Sequence, residues 1–289
     1  MAIDSQRALR SSARPASRHS ILNDVFQAWH NLREECCLEF QGIDSQLAGE
    51  VCQSLQKGDL EGKNSIFTYN ANLREIRIVL MTSGIHDCHQ SWYMHGEFAH
   101  MITNGFLTPD ESQNLVGTVG TIFDNFGGIY ANSRKQPDFC TYPNTLRFPT
   151  IVIESGWSES RPALEQDADL WLKGGQGRLE LAIILKWTKI TGQKVKGDVT
   201  VYNLDAGGNA RKLQNEQVFP ASPNSAGQTI PITRGQLYGS APVPAGRSGT
   251  DVWQFSIDRL RTAARSAIER EGYIPANREK LPLSADLAE

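Results

Sequence analysis

Apolar side chains near the start of the chain recur at helical spacing. Residues three or four positions apart share one face of an α-helix. The residues that set this pattern are Ile21, Val25, Trp29, Leu47, Val51 and Leu55. We therefore expect helical structure over residues 21–58, followed by a break at the turn-forming stretch "KGDLEGKN".

The spacing then changes from helical recurrence to alternation. In "SIFTYNANLREIRIVLMTS", residues 65–83, two strand-like runs flank a short turn at Asn70 to Asn72. Isoleucines in the second run alternate with Arg77 and Val79. This alternation predicts a strand with one buried face.

A helix and a hairpin are predicted next. Residues 84–106 have helical character, and a second short helix begins at Thr108-Pro109, within 108–126, because threonine followed by proline is a frequent helix start. The segments "GGIYANS" and "KQPDFCTYP", residues 127–133 and 135–143, together predict a hairpin.

The middle of the chain predicts a strand, a helix and two further strands. An apolar run, "PTIVIES", precedes a helix whose Pro162 lies near its start. The run "RLELAIILKWTKI" and the segment "KVKGDVTVYNL" predict the next two strands. Residues 151–187 should therefore form a right-handed strand–helix–strand crossover, which favours an α/β sheet with helices on its faces.

Residues 204–250 are rich in Gly, Pro, Ser and Asn and predict loops with one or two extra strands, the best candidate being "QTIPIT". A strand and a helix follow over 251–272. We expect a disordered leader over 1–20, one domain over 21–275 with its core at about 65–190, and a polar tail over 276–289.

Composition narrows the function classes. The 289 residues carry a net charge of −3, which argues against a generally basic protein that coats nucleic acid. Five cysteines without zinc-ribbon spacing predict free thiols in a reducing compartment. With no apolar run of roughly 18 residues, we expect no membrane partner and a location in the cytoplasm or nucleus. Mitochondrial import directed by the Arg- and Ser-rich leader is the alternative.

Two carboxylates stand at the ends of neighbouring predicted strands. Asp138 begins one strand, and Glu154 ends the apolar run "IVIE". Charge at the end of a buried strand is costly unless it is partnered, and two converging carboxylates repel. A Mg²⁺ ion, with Mn²⁺ as a substitute, would relieve both effects and could support hydrolysis of a phosphodiester.

This arrangement resembles the PD-(D/E)XK nuclease superfamily. The residues that carry the resemblance are "PD" at 137–138, "IVIE" at 151–154 and the helix and strand that follow. The wider pattern "KQPDFCTYP…FPTIVIESGWSES" is similar to a fungal group related to Uma2-type endonucleases. The resemblance implies a restriction-endonuclease-like fold, in which helices flank a mixed central sheet, preceded in this chain by N-terminal helices.

The sequence departs from the superfamily after Glu154. Where the pattern has a lysine two residues later, this chain has Gly156. Three lysines are candidates to replace it: Lys186, which interrupts the apolar run "AIILKW", Lys173 at a helix end, and Lys135 before the Pro-Asp pair. We favour Lys186, since a lysine in such a strand needs a carboxylate or a pocket. Lys135 is typical of a solvated residue.

Several further residues are accessory candidates. His86 could cap a turn near the acidic pair, while the cluster of His86, His89, His95 and His100 has no tight zinc spacing. Glu97 is either an additional metal-site carboxylate or a solvated helix residue.

Asp167 and Asp169 face about 200° apart on one helix, so at most one of them faces the sheet. Asp167 matches the family pattern better, although exposure is the simpler interpretation for it. On the last helix, Arg261 and Arg265 could contact a phosphate backbone, and a solvated face is again the simpler interpretation.

The sequence thus predicts a Mg²⁺-dependent DNA endonuclease with Asp138, Glu154 and Lys186 as catalytic residues and DNA as the partner. The missing lysine keeps a second hypothesis open: a degenerate nuclease fold that binds nucleic acid or protein without cutting. A glycan- or protein-binding module built from residues 204–250 is a third. A homodimer is compatible with each of them.

Overall fold

The computed structural model describes residues 9–10, 17–57, 65–80 and 82–277. Most of the expected leader, most of the break at 57–64 and nearly all of the expected tail lie outside the described residues. The first helix begins at Arg18, inside the segment expected to be a leader.

The first half of the chain interleaves short strands with helices. In chain order these elements are β1 (Leu9–Arg10), α1 (Arg18–Asn31), β2 (Cys36–Gln41), α2 (Ser45–Gln56), β3 (Ser65–Asn70), β4 (Glu75–Leu80), α3 (Cys88–Ser91), a π-helix (Trp92–Phe98), α4 (Ala99–Thr103), α5 (Pro109–Gln113), β5 (Leu115–Thr118), a 3₁₀-helix (Gly128–Tyr130), β6 (Arg134–Lys135) and β7 (Phe139–Pro143).

The second half of the chain begins with the predicted strand–helix–strand unit, β8–α6–β9. In chain order, the elements of this half are β8 (Ile151–Gly156), α6 (Arg161–Gly175), β9 (Leu181–Ile190), β10 (Lys194–Leu204), β11 (Ala210–Phe219), β12 (Thr229–Thr233), α7 (Arg234–Tyr238), β13 (Val252–Ser256), α8 (Ile257–Arg270) and β14 (Ile274–Pro275). The strand predicted at "QTIPIT" is β12, which pairs with β13.

The N-terminal sheet has the order β1-β2-β4-β3-β6. The expectation of helical structure over 21–58 is confirmed for α1 and α2 and was wrong between them, because Cys36–Gln41 pairs with β4 along its whole length. Leu38 and Phe40 alternate on that strand and face the apolar cluster under α1 and α2. Pairing with a distant strand thus overrides the local helical spacing on either side.

The central sheet has the order β11-β10-β9-β8-β7-β5, and β8 runs parallel to β9 with α6 between them. The protein therefore has mixed α/β architecture, as predicted. The predicted hairpin is absent: β6 pairs with β3, and β7 pairs with β8 and β5. Residues 115–118 form β5 rather than the end of a helix.

The two faces of the central sheet bury different clusters. Phe139, Ile153 and Ile183 pack towards the π-helix and α8, whereas Val152 and Ile184 pack towards α6. The N-terminal sheet buries a third apolar cluster with α1 and α2. In the described part of the chain, no helix has both the length and the apolar character needed to cross a membrane. All five cysteines are free thiols, as predicted.

Candidate functional site: a buried ionic seam

Buried charged side chains join the N-terminal sheet to β8 and α6. We call this cluster the ionic seam, and its members are Glu75, Arg77, Lys135, Glu154, Glu159 and Asp167, all buried. Because all six side chains are almost completely removed from solvent, their charges interact in a medium of low dielectric constant.

Lys135 lies at the centre of the ionic seam. Its ammonium is 3.1 Å from Glu154 Oε2, 3.0 Å from Asp167 Oδ2 and 3.1 Å from the Thr68 hydroxyl. The side chain is only 2% exposed. Burial alone would lower the pKa of Lys135, but the carboxylates of Asp167 and Glu154 outweigh it and raise the pKa. The expectation of a solvated lysine was wrong because the short strand β6 pairs with β3 and directs this residue inward.

Arg77 is the second cation of the ionic seam. Its guanidinium contacts Glu75 at 3.2 Å and Glu159 at 3.1 Å, and it also forms an ion pair with Asp167. Sequence alternation identified the strand but predicted only one buried face. The second face is covered by α6, so Arg77 is buried as well.

Glu154 shares its face of the sheet with Val152 and Ile184, because every second residue of a strand points the same way. One carboxylate oxygen binds Lys135, and the other accepts a hydrogen bond from the Trp171 indole. Burial raises the pKa of Glu154 well above its usual value; Lys135 opposes this shift, and the carboxylates of Asp138 and Asp167 add to it.

Asp138 immediately precedes β7 and lies beside Glu154. Phe139 pairs with Ile153, so continuing this antiparallel register by one residue places Asp138 opposite Glu154. Its carboxylate accepts a hydrogen bond from the Ser155 amide at 2.6 Å. The two carboxylates singled out in the sequence are therefore neighbours across two strands.

His86 is a buried residue beside Asp138. Its Nε2 is 3.5 Å from Asp138 Oδ2, and its Nδ1 is 2.9 Å from Asp87 Oδ1. Burial alone would lower the pKa of His86, but the carboxylates of Asp138, Glu35 and Asp87 outweigh it and raise the pKa to about 10. At neutral pH the imidazole is therefore a cation.

A cleft of about 350 Å³ leads to Asp138. Its lining includes the apolar residues Phe67 and Ile122 and the polar residues Asp87, Gln90 and Gln136. Both carboxylates that flank His86, Asp87 and Asp138, line this cleft. Asp138 thus connects the closed ionic seam to an accessible space.

The ionic seam holds more acids than bases. Four carboxyl groups (Glu75, Glu154, Glu159 and Asp167) face two cations (Arg77 and Lys135), and the adjoining pair of Asp138 and His86 adds one charge of each sign. Burial, with weaker contributions from neighbouring acids, raises the pKa of Glu159 to about 7 despite Arg77. The excess of two carboxyl groups favours binding of either protons or a further cation.

A Mg²⁺ ion fits this donor set in chemistry but only partly in arrangement. Hard carboxylate oxygens are what Mg²⁺ prefers, and the excess negative charge would favour it. However, Lys135 already contacts Glu154 Oε2, and no group of three His, Cys, Asp or Glu residues in the described segments could hold a metal ion. Asp138 and Glu154 are the residues that would contact it.

Lys186 lies beside the position where the sequence pattern expects a lysine. It pairs with Gly156 on β8, and its ammonium donates to the carbonyl oxygen of Trp157 at 3.1 Å. Burial lowers the pKa of Lys186 to about 8. A side chain at position 156 would itself meet α6, since an added Cβ would lie 2.7 Å from Leu164 Cδ1. Of the acidic pair, Glu154 is contacted by Lys135 rather than by Lys186.

Glu97 belongs to another part of the molecule. It is fully buried, and its oxygens accept hydrogen bonds from Trp92, Trp253, Arg259 and the Ser256 amide. Both expectations for Glu97, a metal-site carboxylate and a solvated residue, were wrong. Most of its donors come from β13 and α8, more than 150 residues further along the chain.

Arg261 and Arg265 differ sharply. The buried Arg261 guanidinium donates to the carbonyl oxygens of Gln217, Val218 and Ser225 and pairs with Asp258. Its expected phosphate contact is therefore replaced by contacts that fix α8 to β11. Arg265 is 52% exposed and lies 3.9 Å from Glu269.

The remaining candidates divide between buried and more accessible positions. His89 is buried beside His86, whereas His95 and His100 are not buried. Of the two helix acids, Asp167 faces the sheet, and Asp169 pairs with Lys173 nearer the surface.

Sequence reasoning missed the ionic roles of Arg77 and Glu159 altogether. Their contact joins β4 to the segment just before α6 over 82 residues, and no local pattern contains that information.

Comparisons with protein-family models, curated proteins and solved structures found no match for this chain.

Proposed function

We propose that this protein is a metal-dependent phosphodiester hydrolase of the PD-(D/E)XK type, acting on nucleic acid. The observation that carries the proposal is the meeting of three charged residues. Lys135 contacts Glu154, and Asp138 lies opposite Glu154 in the strand register. The lysine missing from the local motif is thus supplied from β6.

The order of elements supports the same proposal. Strands β5, β7 and β8 are adjacent in the sheet, the acidic pair spans β7 and β8, and α6 leads to the parallel strand β9. The order of β8, α6 and β9 agrees with the helix and strand that follow "IVIE" in the resemblance.

Each side chain has a physical role in the proposed reaction. A bound divalent cation would polarise a water molecule and neutralise charge on the phosphate. Asp138 lines the cleft, its carboxylate is oriented by the hydrogen bond from the Ser155 amide, and His86 Nε2 lies 3.5 Å from it. Glu154 is positioned by Trp171 and by the Lys135 ammonium, which supplies the positive charge nearest the acidic pair.

The proposal is tested by cleavage of plasmid and single-stranded DNA with Mg²⁺ or Mn²⁺. Asp138→Asn and Glu154→Gln should each lower the rate by about 100-fold or more. Asp169→Asn is the matched control, since this acid lies on the same helix as Asp167 but pairs near the surface. Lys135→Gln should impair cleavage more than Lys186→Gln. Cleavage by Asp138→Asn at the wild-type rate would contradict the proposal.

A second function is favoured by one observation: Asp138 and Glu154 are both almost completely buried. A site this closed suits a protein that retains the nuclease architecture but binds nucleic acid without cutting it. Binding by wild-type protein with no cleavage under either metal would establish this alternative.

A further inference from the structure

A polar groove lies on the side of the β10–β11 ribbon that carries α6, apart from the ionic seam. Its volume is about 490 Å³, and its polar lining comprises Arg161, Lys196, Asp198, Lys212, Asn215 and Gln217. Alternation along β10 creates this face, because Val195 and Val199 enter the core while Lys196 and Asp198 point the other way.

The groove carries excess positive charge. Three cations face one carboxylate, and Asp198 is already paired with Arg161. Lys196 and Lys212 are exposed and form no ion pair with any carboxylate of the described segments; the Lys212 ammonium lies 5.8 Å from the centre of the Tyr202 ring. Two lysines without acidic partners leave the groove able to accept an anion.

Neutral donors reinforce this preference. The Thr200 hydroxyl donates to Asn215 Oδ1, so the Asn215 side-chain amide NH₂ is left as a donor. Gln217 adjoins Asp198 in the strand register and adds a second exposed amide. Amide and ammonium groups on one concave face suit the oxygens of a phosphodiester.

The groove is too long for a single phosphate ion. Lys212 pairs with Tyr202, which lies six residues beyond Lys196 on β10. At a rise of about 3.3 Å per residue, the two lysines are separated by roughly 20 Å along the ribbon. One phosphate cannot contact both, whereas a chain of phosphates can.

We propose that this groove binds the phosphate backbone of a nucleic acid strand. The proposal rests on the substrate class of the proposed function and specifies where that substrate lies. Arg161, in the first turn of α6, links the groove to the segment that contains Glu159 of the ionic seam. A strand in the groove would therefore pass beside the end of β8 that carries the acidic pair.

Fluorescence anisotropy in EDTA tests the groove without cleavage. The probes are fluorescein-labelled single-stranded DNA and RNA of about 20 nucleotides, titrated between about 50 and 200 mM salt. The double variant Lys196→Gln/Lys212→Gln should reduce the slope of log affinity against log salt by about 1.4, or about 0.7 for each lost contact. This slope corresponds to roughly 25-fold weaker binding at about 0.1 M salt, relative to a 1 M reference.

The matched control is the double variant Arg33→Gln/Arg211→Gln. Arg211 precedes Lys212 and so points to the opposite face of β11, and Arg33 is an exposed residue between α1 and β2. This control should bind within about twofold of wild type. Equal losses of affinity in both double variants, or no binding by wild type at low salt, would contradict nucleic acid binding in the groove. Binding that resists competition by nucleic acid but not by heparin would also overturn it.

The test separates the groove from the proposed function. Salt-dependent binding through Lys196 and Lys212 with no cleavage by wild type supports nucleic acid binding in the groove and refutes the proposed hydrolase activity. Metal-dependent cleavage that is lost in Asp138→Asn but unchanged in the lysine double variant supports the proposed hydrolase activity and refutes nucleic acid binding in the groove. Preference of the groove for the RNA or the DNA probe identifies the type of strand.

Discussion

Two fully buried glutamates, Glu97 and Glu154, occupy opposite electrostatic situations. Glu97 accepts five hydrogen bonds, two of them from the Arg259 guanidinium. Glu154 has two donors and is crowded by the carboxylates of Asp138 and Asp167. A buried acid whose donors match its oxygens stabilises the fold, whereas one surrounded by other acids favours a proton or a cation.

The largest expected effect tests whether Lys135 holds the ionic seam together. Lys135→Met should lower the free energy of unfolding by about 3–5 kcal/mol, because it leaves buried carboxylates without their ammonium partner. Urea denaturation measures the change. Lys173→Met, which removes a partly exposed pair with Asp169, should cost at most about 1 kcal/mol. Equal losses in the two variants would show that the seam does not depend on Lys135.

Neutralising the two glutamates directly tests the comparison. Glu97→Gln should cost about 1.5–3 kcal/mol in unfolding free energy, because it loses charged hydrogen bonds to Arg259. Glu154→Gln should cost less, because removing its charge also removes repulsion from Asp138 and Asp167. Urea denaturation at neutral pH gives both values, and a greater loss in Glu154→Gln would reverse the interpretation of the two sites.

The pH dependence of stability should reveal the excess acids. The pKa of Glu159 is about 7 in the folded protein, above the usual value of 4.5, so the folded state binds more protons than the unfolded state between these values. Stability should therefore fall as pH rises from about 4.5 to about 7. In Glu159→Gln, unfolding measured across this range should show a smaller fall. An unchanged pH profile would indicate that Glu159 ionises normally.

The smallest effect is expected at the surface of α8. Arg265→Gln should change the free energy of unfolding by no more than about 0.5 kcal/mol, since the side chain is half exposed and its contact with Glu269 is long. Chemical denaturation measures this difference. A larger loss would show that the stacking of Arg265 over Phe219 contributes more to stability than its exposure indicates.

Local patterns were enough to predict the strands β3, β4, β8 and β9 and the helix α6. They also predicted that Asp138 and Glu154 are neighbours, because each carboxylate lies at the end of one of two adjacent predicted strands. They failed at Lys135, whose burial depends on the pairing of β6 with β3, 67 residues earlier. The position of β3 beside β6 is a property of the assembled sheet, and the sequence around Lys135 gives no sign of it.

Glu97 illustrates the same limit from the other direction. The helix that carries it was predicted, but the surface facing that helix was not. Trp253 and Arg259 arrive from the last strand and helix, and only the folded chain brings them to the carboxylate. The resemblance to a nuclease pattern suggested a metal ion as the partner of Glu97, whereas in the structure its partners are these hydrogen-bond donors.

The close packing of Leu164 on Gly156 also constrains the mutational path of this protein. A single substitution that places lysine at position 156 would clash with Leu164 before it could reach Glu154. Its fitness effect would therefore depend on an accompanying change at Leu164, which is a case of epistasis between β8 and α6. With Lys135 already beside Glu154, selection would have little reason to favour that two-step route.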